Sequence, residues 1–356
     1  MIKIKSILIA SLLSMLMFGA TSCDDNFIYE QGEDCVPRIR FVFKKHRQAL
    51  HSVPGREPDA FYSMVGSVHI FVYDVETGEL VLEKFENSSN LQSESDLRLG
   101  SGQEPCFMPL DIPDGTYRIV AWCGLDETDE NNAFFLNENS RGAGYAECSV
   151  KYNNSGHPVN SEKYESLYHG LVKSVEISVS AEKGMQIIPV ELTKNTNDIA
   201  VWVQHTSKTF EDGEYEVVYT DANGSMHFEN NTMNNSNPLE YHAHTTSVLS
   251  TSTEFNSSTV ETGALVAHIS TARLMEGARN DARLEVRSKE GDVVFSIPFV
   301  KYVLQMQTLT NDHQYYLDCE DTYKCSFYLT GENDQWMPSR IIINNWVVVP
   351  PQKDEL

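Results

Sequence analysis

The sequence predicts an all-β protein built from two tandem β-sandwich domains. Short stretches rich in β-branched and aromatic residues recur along the chain, and Gly, Asn or Asp turns separate them. Helical periodicity is scarce, and only Asp59 to Val65 and Thr271 to Gly277 suggest one or two helical turns. Many short strands with polar turns are typical of sandwiches, in which each sheet buries one face.

The first predicted strand shows the alternation clearly. In PRIRFVF, Ile39, Phe41 and Phe43 share one face, and Arg38 and Arg40 share the other. Further strands in the first half are predicted in SVHIFVYD, ELVLEKF, PDGTYRIVAW and SVEISV. Strands of the second half are predicted in DIAVWVQH, EYEVVY, ARLEVR, DVVFSIPF, CSFYL and RIIINNWVVV.

A polar stretch, KNTND, separates two predicted strands near the middle of the chain, from Lys194 to Asp198. We predict the domain boundary there, with one sandwich in residues 35–195 and a second in residues 196–356. The stretch from Asn223 to Ser258 is rich in Asn, Ser and Thr and poor in apolar residues, which predicts a long mobile loop.

The N-terminus has the layout of a secretory signal. Two lysines precede an apolar run, Ile7 to Phe18, that is too short to span a membrane. Small residues then lead to Cys23, which we predict to carry a lipid once the signal peptide, residues 1–22, is removed. Residues 23–34 would form the lipidated tether. Ordinary secretion with a cut at the same position is the alternative.

The last four residues, Lys353 to Leu356, spell a signal for retrieval to the endoplasmic reticulum of eukaryotes. A receptor reads this signal, so the fold neither supports nor opposes it. We interpret it as a chance match in an acidic tail. Taken literally, it would predict a protein of the endoplasmic-reticulum lumen.

The chain of 356 residues is strongly acidic, with a formal net charge of −24. Loss of Lys3 and Lys5 with the signal peptide lowers the charge to −26. Such a charge repels nucleic acid and anionic lipid, so we expect neither as a partner.

Six cysteines remain beside the predicted lipidation site, an even number that permits disulfides in an exported chain. Cys106 and Cys123 are equidistant from a predicted turn in IPDGTY, so a regular hairpin would bring them opposite each other. Cys319 and Cys325 flank EDTYK and could close a second hairpin. Buried free thiols are the alternative, because connectivity does not follow from spacing.

The sequence lacks the familiar catalytic and cofactor motifs: it has no G-x-S-x-G elbow, no Walker loop, no H-E-x-x-H and no C-x-x-C pair. His242 and His244 lie two residues apart in YHAHTT and could begin a metal site with His227, but such a pair is not a closed site. We therefore predict a protein that is not an enzyme and that binds neither metal nor cofactor.

A nearly unbroken β-run extends from Ile341 to Val349 and ends at two prolines. An apolar strand of this kind is an aggregation hazard if it is left as an exposed edge. We therefore predict that it lies in its own sandwich or adds to the sheet of a neighbouring subunit. The candidate contact residues are Ile341, Ile343, Trp346, Val347 and Val349.

The ordered set of motifs resembles one protein family. A lipoprotein cysteine, CVPRIRFVF, SVHIFVYDVETGELV, IPDGTYRIVAWCGL and SLYHGLV follow one another as in the fimbrillin-associated anchor lipoproteins of anaerobic Gram-negative bacteria. The second half continues the resemblance with ARLEVRSKEGDVVFSIPF, YYLDC and IIINNWVVV. The resemblance implies two transthyretin-like β-sandwich domains.

The resemblance also implies a function. Anchor lipoproteins of this family hold a fimbria to the outer membrane through their lipid and influence its length. Related shaft subunits are cut by a protease to free a groove for a neighbour's strand, and this sequence shows no clear cleavage signal. We expect a structural subunit at the fimbrial base, with shaft subunits and the outer membrane as partners. A surface lipoprotein that binds a glycan or host protein as an adhesin, without polymerising, is the alternative.

Overall fold

The computed structural model consists mostly of β-strands, which confirms the predicted all-β class. It describes residues 36–43, 61–87, 107–126, 132–137, 147–150, 163–179, 185–231, 238–255, 258–277, 282–305, 312–331 and 336–348. Within these ranges three short helices occur: α1 (Phe61–Met64), α2 (Phe299–Gln305) and α3 (His313–Cys319).

The strands form four sheets. The first half supplies β1 (Arg38–Val42), β2 (Ser67–Asp74), β3 (Leu80–Asn87), β4 (Phe107–Pro109), β5 (Gly115–Cys123), β6 (Phe134–Leu136), β7 (Cys148–Val150), β8 (Tyr168–Ile177) and β9 (Ile187–Lys194). The second half supplies β10 (Thr196–His205), β11 (Tyr215–Asp221), β12 (Ser225–Met226), β13 (Leu239–His242), β14 (Thr245–Phe255), β15 (Ser258–Ala272), β16 (Arg283–Ser288), β17 (Val293–Pro298), β18 (Thr322–Thr330), β19 (Met337–Ile343) and β20 (Trp346–Val348). The strand orders are β3-β2-β5-β8-β9-β1-β4, β14-β15-β10-β18-β19-β20, β13-β11-β16-β17 and β12-β7-β6.

The seven-stranded sheet wraps around a core of its own. β8 pairs with β9 only where Tyr168 to Gly170 meets Leu192 to Lys194, so the sheet bends there. Strands on the two sides of the bend share a cluster of buried side chains that includes Ile39, Phe41, Val68, Ile70, Ile119, Ile188 and Val190. Gly170 permits the close approach, because a Cβ atom there would lie 2.4 Å from Val190 Cγ1 and 3.1 Å from Leu192 Cδ2.

The first strand occupies an interior position in this sheet. β1 pairs in parallel with β9 over its five residues and antiparallel with β4. Ile39 and Phe41 are buried and Arg40 is exposed, so the alternation predicted for this strand is confirmed for these residues. Arg38, predicted on the polar face, is buried as well.

The six-stranded and four-stranded sheets face each other in the second half and form a β-sandwich. In β10, Ile199, Val201 and Val203 point inward and alternate with more exposed positions, as DIAVWVQH predicts. Contact between the layers is direct, since the ring centroids of Phe295 in β17 and Phe327 in β18 lie 5.1 Å apart.

The two halves of the chain share a second, larger core. It combines Phe71 and Trp122 from the first half with Val201 and Phe327 from the second. The three-stranded sheet also joins the halves, because β12 of the second half pairs with β7 of the first. Side chains that pack into one continuous core restrict independent movement of the parts they come from.

Polar contacts fix the turn between β9 and β10 to the second half. Lys194 Nζ lies 2.8 Å from the carboxylate of Asp321, and both side chains are largely buried. Asn195 and Asn230 exchange amide hydrogen bonds in a buried setting. The predicted boundary falls at this turn, and the division into two domains stays a prediction.

The long mobile loop predicted from Asn223 to Ser258 is wrong for the residues described. Most of them belong to β12, β13 and β14, and β14 pairs antiparallel with β15 along its whole length. Thr and Val are β-branched and fit an extended strand, whatever the polarity of the stretch. β14 lies at the edge of its sheet, where a strand needs no continuous apolar pattern.

The helix predictions were correct in one place and wrong in another. α1 lies within the suggested stretch from Asp59 to Val65. The second suggested stretch is not helical, because β15 extends to Ala272 and the residues from Arg273 to Gly277 are irregular. Helices α2 and α3 were not predicted, since seven residues give too little periodicity to distinguish a helix from a buried strand.

Candidate functional site

The C-terminal run IIINNWVVV forms a hairpin at the edge of the six-stranded sheet. β19 ends at Ile343 and β20 begins at Trp346, and the residues between them, Asn344 and Asn345, have φ angles of 46° and 71°. Two successive residues with positive φ are typical of a type I′ turn, which asparagine tolerates. The prediction of one nearly unbroken strand from Ile341 to Val349 is therefore wrong.

Asn344 fastens this turn to the neighbouring strand. Its side-chain oxygen accepts a hydrogen bond from the backbone N–H of Lys324 at 2.8 Å. Its own backbone N–H donates to the Lys324 carbonyl at 2.9 Å. The turn is thus held by β18 as well as by its own geometry, which fixes the position of β20.

The hairpin divides the predicted contact residues into two groups. Ile341 and Ile343 are fully buried in the core that the two halves share. Trp346 is 62% exposed and Val347 is 56% exposed. Val349 lies outside the described residues. Among the predicted contact residues that the structure describes, only Trp346 and Val347 are open to a partner, and their contact role stays a prediction.

β20 is the last strand of its sheet and presents a backbone edge. In a two-residue hairpin the pair next to the turn, Ile343 and Trp346, is hydrogen-bonded, and the following pair, Ile342 and Val347, is not. The backbone N–H and C=O of Val347 therefore point away from β19. They face the side of β20 on which the described part of the chain has no further strand.

The hairpin that would pair Cys106 with Cys123 does not form. β4, which begins directly after Cys106, pairs with β1, whereas β5, which contains Cys123, pairs with β2 and β8. Cys106 lies outside the described residues, as does the predicted lipidation site Cys23. The Cys106–Cys123 disulfide stays a prediction, but the hairpin on which it was based is not formed.

The second predicted disulfide is corrected by the structure. Cys325 is a buried free thiol, so no disulfide joins it to Cys319. Cys319 is the last residue of α3 and Cys325 lies inside β18, so EDTYK connects a helix to a strand and is not a hairpin turn. Burial raises the pKa of the Cys325 thiol, which keeps it protonated and unreactive.

The histidines of YHAHTT do not converge on a metal site. His242 Nδ1 lies 3.3 Å from a carboxylate oxygen of Glu216, whereas His244 Nδ1 lies 3.1 Å from the hydroxyl of Thr245. The ring centroids of His244 and His268 are 6.2 Å apart. In the part of the chain that the structure describes, no three His, Cys, Asp or Glu side chains gather closely enough to bind a metal ion. No described helix is long and apolar enough to cross a membrane.

Sequence reasoning missed the outward face of the six-stranded sheet. Trp202 lies on this face in β10 and is 38% exposed. The available signal was the alternation itself, because Trp202 stands between the inward-pointing Val201 and Val203. Trp202 is therefore a candidate contact residue on this face.

Comparison with protein families identifies the family of the chain. The model of the family described as fimbrillin-A associated anchor proteins Mfa1 and Mfa2 matches residues 33–350. The chain belongs to this family. The family resemblance drawn from the sequence motifs is thereby confirmed, and the protein is fimbria-associated. No curated protein sequence matches the chain.

Solved structures share the fold. A candidate adhesin from Bacteroides thetaiotaomicron has a TM-score of 0.66 at 23% identity, with 88% of this chain and 98% of that chain covered. A candidate adhesin from Bacteroides ovatus has a TM-score of 0.66 at 20% identity, with 92% and 98% covered. The fimbrial anchor protein Mfa2 from Porphyromonas gingivalis has a TM-score of 0.59 at 18% identity, with 88% and 98% covered. At these identities the likeness concerns the fold.

Proposed function

We propose that this member of the anchor family is the lipid-held base of a fimbria. In this proposal Cys23 carries the lipid in the outer membrane, and the folded body receives the first shaft subunit. The first shaft subunit joins the anchor by adding a strand at β20. This junction determines how many subunits follow, and therefore the length of the fimbria. The protein acts through contacts and performs no chemical reaction.

The observation that carries the proposal is the open edge at Val347. Its backbone N–H and C=O face away from β19, and its side chain is among the most exposed apolar ones described. An incoming strand would gain main-chain hydrogen bonds there and would pack on the side chains of Val347 and Trp346. Because Asn344 fixes the hairpin to β18, this edge is preorganised for binding.

The distance between the lipid site and the fold supports the anchoring role. Fourteen residues lie between Cys23 and the start of β1 at Arg38. Fully extended, a segment of that length reaches about 50 Å at most. That reach is enough to keep the body clear of the lipid headgroups while it remains attached.

The anchoring step is tested by electron microscopy of native cells that carry Cys23→Ala. We expect fimbriae to be shed into the medium or altered in length, because the base no longer has a lipid. Cys35→Ala, a second cysteine exchange near the tether, serves as the matched control and leaves fimbriae attached. Attached fimbriae of normal length on Cys23→Ala cells would contradict the proposal.

The strand-addition step is tested by Val347→Pro. Proline lacks the backbone N–H, and this N–H is not used within the hairpin, so the substitution removes a donor from the open edge alone. Val347→Thr keeps the N–H and the β-branched shape and is the matched control. We expect few or no attached fimbriae with Val347→Pro and normal numbers with Val347→Thr, at equal membrane levels of the protein. Equal fimbriation of the two strains would contradict strand addition at β20.

A further inference from the structure

The outward face of the six-stranded sheet carries a set of side chains that the anchoring role does not use. We call it the Trp202 face and define it by the outward residues of β15, β10, β18 and β19. These residues are Val266, His268, Ala200, Trp202, Gln204, Lys324, Ser326, Tyr328, Arg340 and Ile342. Neighbouring strands are about 4.8 Å apart, so these side chains form one open platform.

Trp202 stands at the centre of the platform with little around it. Val266 and Ser326 lie directly opposite it on the two adjoining strands, and Ala200 precedes it on the same face. With Ala200, Val266 and Ser326 as its neighbours, Trp202 is 38% exposed.

Polar side chains surround the indole on its own strand and on the two adjoining strands. Gln204 follows Trp202 on the same face, and Tyr328 lies opposite Gln204. Ser326 is opposite the indole, and His268 lies one step away on β15. The amide, phenol, hydroxyl and imidazole can all donate hydrogen bonds to a ligand.

The charge of this face is opposite to that of the whole chain. Lys324 and Arg340 both point outward, and neither forms an ion pair within the described part of the chain. Asp198 of β10 is an outward carboxylate among the described residues, and it already contacts Lys163 at 3.2 Å and accepts a hydrogen bond from Ser270 at 3.0 Å. In a chain of net charge −24, two unpaired cations beside an exposed indole favour an anionic ligand.

From this arrangement we propose that the Trp202 face binds an acidic polysaccharide that carries carboxylated sugars. The indole stacks on the apolar C–H face of a pyranose ring, while Gln204 and Tyr328 contact its hydroxyl groups. Lys324 and Arg340 pair with the carboxylates of the same or the next sugar, Arg340 through its planar fork. This binding activity goes beyond the anchoring role and does not depend on it.

The composition of the platform favours a sugar over a protein partner. The centre of a protein interface is a contiguous apolar area that becomes fully buried. Around Trp202 the apolar surface is interrupted by Ser326 and Gln204, so a protein would leave their polar groups unpaired. A sugar ring offers one apolar face and many hydroxyl groups, which matches a single indole within a polar frame.

The test uses the full-length protein and three soluble polymers: polygalacturonate, neutral dextran and polyglutamate. Binding is measured by biolayer interferometry at physiological salt, where the Debye length of about 8 Å screens the distant acidic residues. We expect polygalacturonate to bind more tightly than either other polymer. We expect Trp202→Ala to weaken that binding by up to about 10-fold, since a stacked aromatic group contributes on this scale.

Trp346→Ala is the matched control, because it removes a more exposed tryptophan from a position off this face. It leaves polygalacturonate binding unchanged, and Trp202→Tyr retains most of the binding. The pair of changes Lys324→Ala and Arg340→Ala removes the preference for polygalacturonate over dextran. Thermal melting confirms that each variant is folded.

Three results would overturn the proposal: no binding of polygalacturonate by the unchanged protein, full binding by folded Trp202→Ala, or polyglutamate binding of equal strength. The last result would reveal a surface for acidic proteins. All three are independent of fimbrial attachment, so the anchoring proposal stands or fails separately.

Discussion

Arg273 and Asp318 form a two-point ion pair inside the protein. Arg273 Nε donates a hydrogen bond of 2.8 Å to Oδ1 of Asp318, and Arg273 Nη2 donates one of 2.8 Å to Oδ2. Arg273 also donates to the backbone carbonyl of Asn230, and Gln314 donates to Asp318 at 3.0 Å. The pair thereby ties together α3, the end of β15 and the turn after β12.

We expect Asp318→Ala to destabilise the protein by about 3–5 kcal/mol, because removal of one partner leaves the other charge buried without compensation. The side chains of Arg273 and Asp318 are only 9% and 3% exposed, so water does not replace the lost carboxylate. Urea unfolding followed by circular dichroism measures the change.

The control for this prediction is an exposed pair. Lys289 and Glu290 are 67% and 61% exposed and lie 3.8 Å apart. Glu290→Ala should change the free energy of unfolding by less than about 1 kcal/mol. Equal losses for Asp318→Ala and Glu290→Ala would show that burial does not determine the contribution of the Arg273–Asp318 pair.

Asp221 gives the stability a defined dependence on pH. Burial raises the pKa of this carboxyl from 3.8 to about 6, although the hydrogen bond from Tyr219, 2.7 Å long, opposes the shift. The folded protein therefore binds the proton more tightly than the unfolded chain does. The contribution of Asp221 to stability improves as the pH falls through about 6 toward about 4, and it is least favourable above pH 6.

Asp221→Asn should remove this dependence while keeping an acceptor for Tyr219. We expect the free energy of unfolding of the variant to exceed that of the unchanged protein by up to about 3 kcal/mol near pH 7.5. The difference should vanish near pH 4. Urea unfolding of both proteins at the two pH values measures it. A difference that does not change with pH would contradict the raised pKa.

Gly170 should not tolerate a methyl group. Its added Cβ would meet Val190 and Leu192 where the first sheet bends, so we expect Gly170→Ala to cost about 1–3 kcal/mol of stability. Gly66 is the matched control, because nothing lies within 4 Å of a Cβ atom placed there. Thermal unfolding should show a lower Tm for Gly170→Ala and an unchanged or slightly higher Tm for Gly66→Ala. The same Tm for both variants would refute the close approach.

Cys325 should resist alkylation in the folded protein. Its thiol is buried with a raised pKa, and the thiolate is the reactive form. Treatment with iodoacetamide, followed by peptide mass spectrometry, should leave Cys325 unmodified until denaturant is added. A peptide that links Cys325 to Cys319 under non-reducing conditions would disprove the free thiol.

Local patterns were sufficient for the class of the fold but not for its connections. The alternation of Ile199, Val201 and Val203 predicts a strand and its buried face, because apolar residues at every second position share one side of a strand. The parallel pairing of β1 with β9 and the pairing of β12 with β7 join distant parts of the chain. Nothing in the local sequence of either partner specifies such a pairing.

The candidate site, too, could be predicted only in part from local sequence. Trp346 and Val347 were predicted as contact residues, yet Asn344 and Asn345 were interpreted as part of a strand. Two asparagines between apolar runs are a hairpin signal, and the β-propensity of the flanking residues concealed it. The Trp202 face depends on four neighbouring strands in register, so only the assembled sheet reveals its platform.

The interior position of β1 has a mechanical consequence. A force applied to the N-terminal segment along the strand direction would load all the hydrogen bonds of β1 with β9 and β4 at once, in shear. Bonds loaded together share the force, whereas those at the open end of a hairpin would break one after another. The segment that leads to the predicted lipid site therefore enters the fold through an element that resists extraction under tension.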